Sequence, residues 1–202
     1  MDRGYGLNHN PAVKIPKLEQ GGGSGWKPWE PEAIQVAMSD FEGIARTAFY
    51  LAYFTGQRNS DICKMKWGDI AGDEIHVIQD KTGAEVWVPL HPDLQAELAV
   101  TERRGETIIA AELFQSDGLP NRTAGQPLSK RALDAYWQDQ RRVLGLSGDN
   151  HENTLHGLRK NATINLLEAG CTNSQAKAIT GHSTDQMVNH YAQKVNQKRQ
   201  AL

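Results

Sequence analysis

Between Phe41 and Ala52 the residues Phe41, Ile44, Ala45, Ala48, Phe49 and Ala52 recur at three- and four-residue steps. That spacing lines one face of an α-helix with apolar side chains and drives the face against a partner. The stripe predicts a helix at the spine of a core, with the remaining elements layered on it. Trp29-Glu30-Pro31-Glu32 opens the helical region, with proline in the first turn and acids near the positive end of the dipole. The stripe stops at Thr55-Gly56. Ile75 and Val77, then Val86, Val88 and Leu90, alternate at a period of two around the turn chemistry of Asp80-Lys81-Thr82-Gly83-Ala84, which predicts a small β-hairpin. Helical patterns return three times. One runs from His91 to about Arg104, with Leu94, Leu98 and Thr101 inward. The next is capped by Ser129, with Leu133, Tyr136, Trp137, Val143 and Leu144 inward. The third spans Leu155 to Ala169, with Leu155, Leu158, Ala162, Leu166 and Ala169 in line. The fold class is α+β, mainly α-helical, with a small antiparallel hairpin or sheet at one edge.

A chain of 202 residues holds one sizeable core, or one domain and a tail. Pro11, Pro16 and Pro28, with Gly21-Gly22-Gly23-Ser24-Gly25, make residues 1–28 an irregular lead-in or linker, a composition suggesting that another domain stands before it. The main domain is read as 29–194 and the tail as 195–202. Gly105 to Gln126 is less legible, with Leu113-Phe114 as a short buried piece between loops at Gly118-Leu119-Pro120 and Gly125-Gln126-Pro127. No run of about 18 apolar residues occurs, and no basic-then-apolar leader opens the chain, so the expected location is the cytoplasm and no membrane partner is expected. Cys63 and Cys171 lie in helical patterns without Cys-x-x-Cys spacing and are expected as buried reduced thiols.

Several polar residues stand at ordered positions. Ser60 is a plausible N-cap for a short helix through Met65, which leaves Arg58 in a tight turn with Asp61 in the first helical turn. His156 and Arg159, three apart, share the face beside the apolar stripe. Gly170 sits at a helix C-terminus, Asn173 or Ser174 caps a short helix ending near Thr180-Gly181, and His182 falls in the turn after it. A last helix from about Thr184 carries Met187, Val188 and Tyr191 on one side. Each residue has an ordinary alternative: a solvated turn arginine, a mute hairpin lysine, a core tyrosine. The formal charge of −2 restricts any nucleic-acid surface to a local patch. Lys130, Arg131, Arg141 and Arg142 on the outer side of their helix, and Lys160, are the candidates. His151, His156, His182 and His190 lack ligand spacing for zinc, so no metal and no cofactor is expected.

Taken in order, Thr55-Gly56-Gln57-Arg58-Asn59-Ser60-Asp61-Ile62, Lys81-Thr82, His156-Gly157-Leu158-Arg159, Gly181-His182-Ser183 and Tyr191 resemble the successive boxes of the tyrosine recombinase, or phage integrase, catalytic domain. The resemblance covers about Trp29 to Lys194. It implies that fold, and active-site positions at Arg58, Lys81, His156, Arg159, His182 and Tyr191, with Asp61 orienting Arg58 from behind. It also implies cleavage and rejoining of double-stranded DNA at attachment sites through a 3′-phosphotyrosyl link, by a homotetramer on DNA that is a monomer alone. The chemistry needs two guanidiniums on the non-bridging oxygens, a phenol to attack, and a lysine and a histidine to exchange protons. The family's helical clamp domain has no room in this chain, and residues 195–202 correspond to the segment that docks on a neighbour. Two other readings are a DNA-binding module that does not cut, and a relaxing enzyme resembling type IB topoisomerases.

Overall fold

The computed structural model describes residues 26–113, 118–148, 152–182 and 185–200. Its elements are α1 (Pro31–Asp40), α2 (Gly43–Thr55), α3 (Asn59–Ile62), β1 (Ile70–Ala71), β2 (Glu74–Ile78), β3 (Glu85–Pro89), α4 (Pro92–Val100), α5 (Lys130–Val143), α6 (Leu155–Glu168), α7 (Asn173–Thr180) and α8 (Asp185–Gln200). α2 lies at the centre, packed on α1, α4, α5 and α6. Trp29, Phe41, Phe49 and Trp137 meet edge to face in this core, with centroid separations from 5.1 Å for Phe41 and Trp137 to 6.3 Å for Trp29 and Phe41. Offset contacts of this kind add to the burial of large rings.

The hairpin forms as the alternation requires. Ile75 pairs with Val88 and Val77 with Val86, all four inward, and β1 adds a third antiparallel strand through Ile70 and Ile75. Two residues are too short a run for periodicity to reveal.

Several boundaries differ from expectation. The stripe from Phe41 does not belong to one continuous helix with Pro31, because Phe41 leaves helical geometry at φ −67, ψ 142 while staying 1% exposed. Arg46 Nη1 donates to Met38 O at 2.7 Å, satisfying a carbonyl at the end of α1 and fixing the break. The N-cap position of α3 is Arg58, without a side-chain cap bond, and not Ser60, while α7 is capped by Thr172 in a capping box with Gln175, not by Asn173 or Ser174. α4 ends at Val100, where Thr101 turns extended and its hydroxyl bonds back to Glu97 O. The buried piece before α5 is Thr107–Ala111, stitched by isolated bridges at Lys66 and Thr107 and at Ala110 and Pro127, whereas Leu113 is exposed. Val143, the last residue of α5, lies beyond the core edge and is exposed, as is Ala169 past the end of α6. Cys63 is buried and free, its thiol pushed up to about 11 by burial and by Asp134, while Cys171 is only half-buried.

A second, smaller cluster joins Leu167, Ala176, Val188, Tyr191, Ala192 and Val195 from α6, α7 and α8. The Gly-rich lead-in to residue 25, Phe114, His151, Ser183 and the side chains of Met187 and His190 lie outside the described residues. Among the described residues no helix is long and apolar enough to cross a membrane.

Candidate active site

Segments far apart in sequence converge on the turn that closes α7. α2 ends at Gly56 in the left-handed conformation, φ 64. Its carbonyl accepts from Arg159 Nη1 at 2.7 Å, and the same nitrogen donates to Thr180 O at 2.7 Å. A Cβ at Gly56 would stand 2.9 Å from Thr180 Cγ2, so this approach demands glycine on two grounds. Arg159 is 2% exposed, and its Nη2 has no hydrogen-bond partner among the described residues. A buried guanidinium with an uncommitted donor is costly unless something anionic completes it. Across the same turn Arg58 donates from Nη2 to Gly181 O at 3.5 Å and from Nη1 to Gln79 Oε1 at 3.0 Å. Burial, then the proximity of Arg58, depress Arg159 to about 10, with Asp61 opposing.

Both histidines join this cluster. His182 Nδ1 lies 2.7 Å from Thr180 Oγ1, and its Nε2 accepts from Arg159 Nε at 3.3 Å. Because Thr180 Oγ1 itself donates to Ala176 O at 2.7 Å, the ring proton belongs on Nδ1. In this arrangement His182 turns its acceptor nitrogen to Arg159. Burial and then Arg159 and Arg58 lower its pKa to about 3. His156 is lowered to about 4 by burial, then by Arg159, Lys160, Arg58 and Lys130. It is neutral at pH 7 and able to take a proton. The Trp26 ring lies 5.8 Å from it, centroid to centroid. Arg58 and His156 line a cleft of about 520 Å³ with Lys130, Asn59 and Thr154. A larger cavity of about 670 Å³, walled by Tyr53, Phe54, Val88, Ala162 and Ile179, contains none of the predicted site residues.

Asp61 stands 3.8 Å from Arg58 Nη1, an ion pair without a hydrogen bond, and its Oδ1 accepts from the Asp80 amide at 2.9 Å. It therefore steadies the hairpin turn as well as the arginine. Lys81 is exposed at that turn. Tyr191 is 9% exposed and lies in the second apolar cluster, and burial raises its pKa. Of the proposed DNA-contacting residues, Lys130 lines the cleft and Arg131 is exposed. Arg142 is exposed and paired with Asp139, and Lys160 bonds the Trp26 carbonyl. Arg141 does not decorate the outer face. It is 3% exposed, donates to Gln138 Oε1 and lies near Glu152, because helix rotation turns that position inward. Sequence reasoning missed Gln57 and Gln79, both buried between the converging segments. The period-two series Ile75, Val77, Gln79 was the available signal, since it carries the glutamine onto the inward face.

Among the described residues no group of three or more His, Cys, Asp or Glu could hold a metal ion. Residues 32–198 match the model of the phage integrase family, so the chain belongs to that family. It is 34% identical over 149 residues to the integrases of Enterobacteria phage 434 and Escherichia phage lambda, in each case across 72% of this chain and 40% of the relative. The chain thus spans less than half the length of those relatives. Its fold is similar to a lambda integrase dimer bound to a COC′ core site (TM-score 0.62, 30% identity, 82% of this chain and 47% of that one). A lambda integrase tetramer bound to a Holliday junction matches equally well (TM-score 0.62, 29% identity, again 82% and 47%). The lambda integrase catalytic core is covered over 91% of its length, and 78% of this chain, at TM-score 0.58 and 30% identity.

Proposed function

We propose that this chain is the catalytic part of a site-specific tyrosine recombinase, breaking and rejoining double-stranded DNA at attachment sites through a 3′-phosphotyrosyl intermediate. The observation that carries the reading is the pair Arg58 and Arg159 flanking one turn, the second with a buried donor still uncommitted. Two guanidiniums held this way suit the two non-bridging oxygens of one phosphate and stabilise the charge that builds on them in the transition state. Neutral His156 takes the phenolic proton as Tyr191 attacks phosphorus. Lys81, on the exposed hairpin turn, gives a proton to the departing 5′-oxygen. His182 holds Arg159 in register. The phosphotyrosyl bond keeps the energy of the broken one, so a second 5′-hydroxyl rejoins the strand without ATP. Lambda integrase, to which this chain is similar, is seen as a tetramer on a Holliday junction. A tetramer on two duplexes, with the segment after Tyr191 docking on a neighbour, is our reading for this protein. Residues 29–194 form the catalytic unit and 1–28 its linker.

A DNA-binding module that does not cut is the second reading, favoured by the burial of Tyr191 in its own apolar cluster. Incubation with a nicked suicide DNA substrate separates the two. Cleavage predicts a covalent protein–DNA band that disappears in Tyr191→Phe. Binding without any band, at substrate concentrations that saturate the protein, supports the module.

A further inference from the structure

The amide of Gln79 lies where the three cationic segments meet, and every bond it can make is made. It is 0% exposed. Its Oε1 accepts from Arg58 Nη1 at 3.0 Å and from Thr82 Oγ1 at 3.0 Å. Its Nε2 donates to Gln57 Oε1 at 2.7 Å and to Thr180 O at 3.0 Å. Gln57, 1% exposed, passes the chain on by donating from Nε2 to Thr55 O at 3.0 Å and Ile179 O at 2.9 Å. A primary amide has two donors and an acceptor oxygen with two lone pairs, and here all four sites are filled from four different residues. Such saturation in a buried place fixes orientation as well as position.

The partners are what make the amide more than a core filler. Arg58 is one of the two phosphate-facing guanidiniums. Thr82 adjoins Lys81 on the hairpin turn. Thr180 supplies the carbonyl that also receives Arg159 Nη1, at 2.7 Å. The turn residue Gly181 has φ 67, and a Cβ there would fall 1.9 Å from Gln79 Nε2, so the backbone has closed down onto this amide. A neutral amide adds no negative charge to that of Asp61, which already stands 3.8 Å from Arg58. A carboxylate in its place would attract Arg58 but cancel part of the charge meant for phosphate.

We infer that Gln79, relayed through Gln57, is a positioning residue that sets Arg58 and the 180–182 turn in register for one phosphate, and this inference rests on the recombinase reading above. Its role is exerted through Arg58, so losing it matters in proportion to the charge on the phosphate oxygens.

The test compares the wild-type chain, Gln79→Met and Gln79→Glu on two nicked suicide substrates, one with an ordinary scissile phosphodiester and one with a neutral methylphosphonate at that position. Gln79→Met keeps the volume and removes the bonds. It is expected to slow covalent adduct formation on the phosphodiester by about tenfold to a hundredfold, the range spanned by one charge-assisted hydrogen bond. On the methylphosphonate, which carries less charge for Arg58 to meet, the loss should shrink to within about threefold. Gln79→Glu should slow the phosphodiester reaction increasingly as pH rises and the new carboxylate ionises. Melting curves and equilibrium DNA binding of each variant account for the folded fraction. Equal losses on both substrates, with no pH-dependent deficit in Gln79→Glu, overturn this inference and leave the recombinase reading standing. No adduct from the wild-type chain on either substrate overturns both.

Discussion

The two arginines and the tyrosine are held by contrasting means. Arg159 is gripped by carbonyls of two separate segments, Gly56 O and Thr180 O, with His182 on its Nε. Arg58 is gripped from the hairpin and from the same turn. Tyr191 is embedded with Leu167, Ala176, Val188, Ala192 and Val195, which offer dispersion contacts without direction. Leu167 lies two turns beyond Arg159, about 12 Å further along α6 at a rise of about 1.5 Å per residue. The difference teaches that the cationic cluster is already assembled by directed bonds in this structure, while Tyr191 lies in a small apolar cluster. Preorganised dipoles and charges need no rearrangement at the moment of reaction. Beside this cluster, α8 is joined to α7 by Asn173 Nδ2 donating to Asn189 Oδ1 at 2.7 Å, and the cost of releasing the helix follows the number of such contacts.

The contrast breaks most visibly at Arg159. Arg159→Lys presents its donors from one point, so an ammonium that takes over the bonds to Gly56 O and Thr180 O leaves the positions of Nη2 and Nε empty, and adduct formation on the suicide substrate should fall about a thousandfold, or ~4 kcal/mol. A variant within tenfold of wild type would mean that the grip is not what catalysis uses. Next in size is Leu167→Ala in the tyrosine's patch. Removing this buried side chain should cost about 3 kcal/mol in denaturant melts. Adduct yield per folded molecule should nonetheless hold or rise, because the storage site is weakened and the arginine grip is not. Collapse of the yield would make the patch part of the working state.

Acid gives a smaller effect on the arginine side. His156 and His182 have folded pKa values of about 4 and about 3, below the ordinary 6.5, so the unfolded chain binds more protons between those limits. Stability is complete above pH 6.5 and declines as pH falls toward 3. The decline should be about 1–3 kcal/mol after allowance for the partial exposure of both rings, read as a falling unfolding midpoint that His182→Asn flattens. Smallest is Lys81→Ala, which on an exposed turn should leave melting within ~0.5 kcal/mol while slowing cleavage. A large shift in melting would show that the hairpin tip belongs to the framework and is no free-moving acid.

Much of this was legible because it rests on period. The helix faces at Ala45, Leu133 and Leu158 and the strand pairs at Ile75 and Val88 follow from spacing and are buried as spacing requires. The order of Arg58, His156, Arg159 and His182 in short boxes pointed to one cluster, and the coordinates bring these four together. What escaped depends on contacts between distant segments. Nothing local distinguishes Arg141 from Arg142, yet a rotation of about 100° along the helix buries one and exposes the other. Gln57 resembles a solvated turn residue until its bond with Gln79, 22 positions on, is known, and the inward register of Gln79 does not tell what it bonds. Thr107–Ala111 is buried through isolated bridges that leave no repeat to detect.

One anchoring detail reaches further. Asn161 on α6 receives the Trp29 amide at 2.7 Å and donates to the Trp29 carbonyl at 2.9 Å, while Lys160 on the same helix holds the carbonyl of Trp26. The incoming chain is therefore moored to the rod that bears His156 and Arg159, within about one and a half turns of both. Traction applied at residue 26 would be delivered first to that rod, and so to the helix that carries His156 and Arg159.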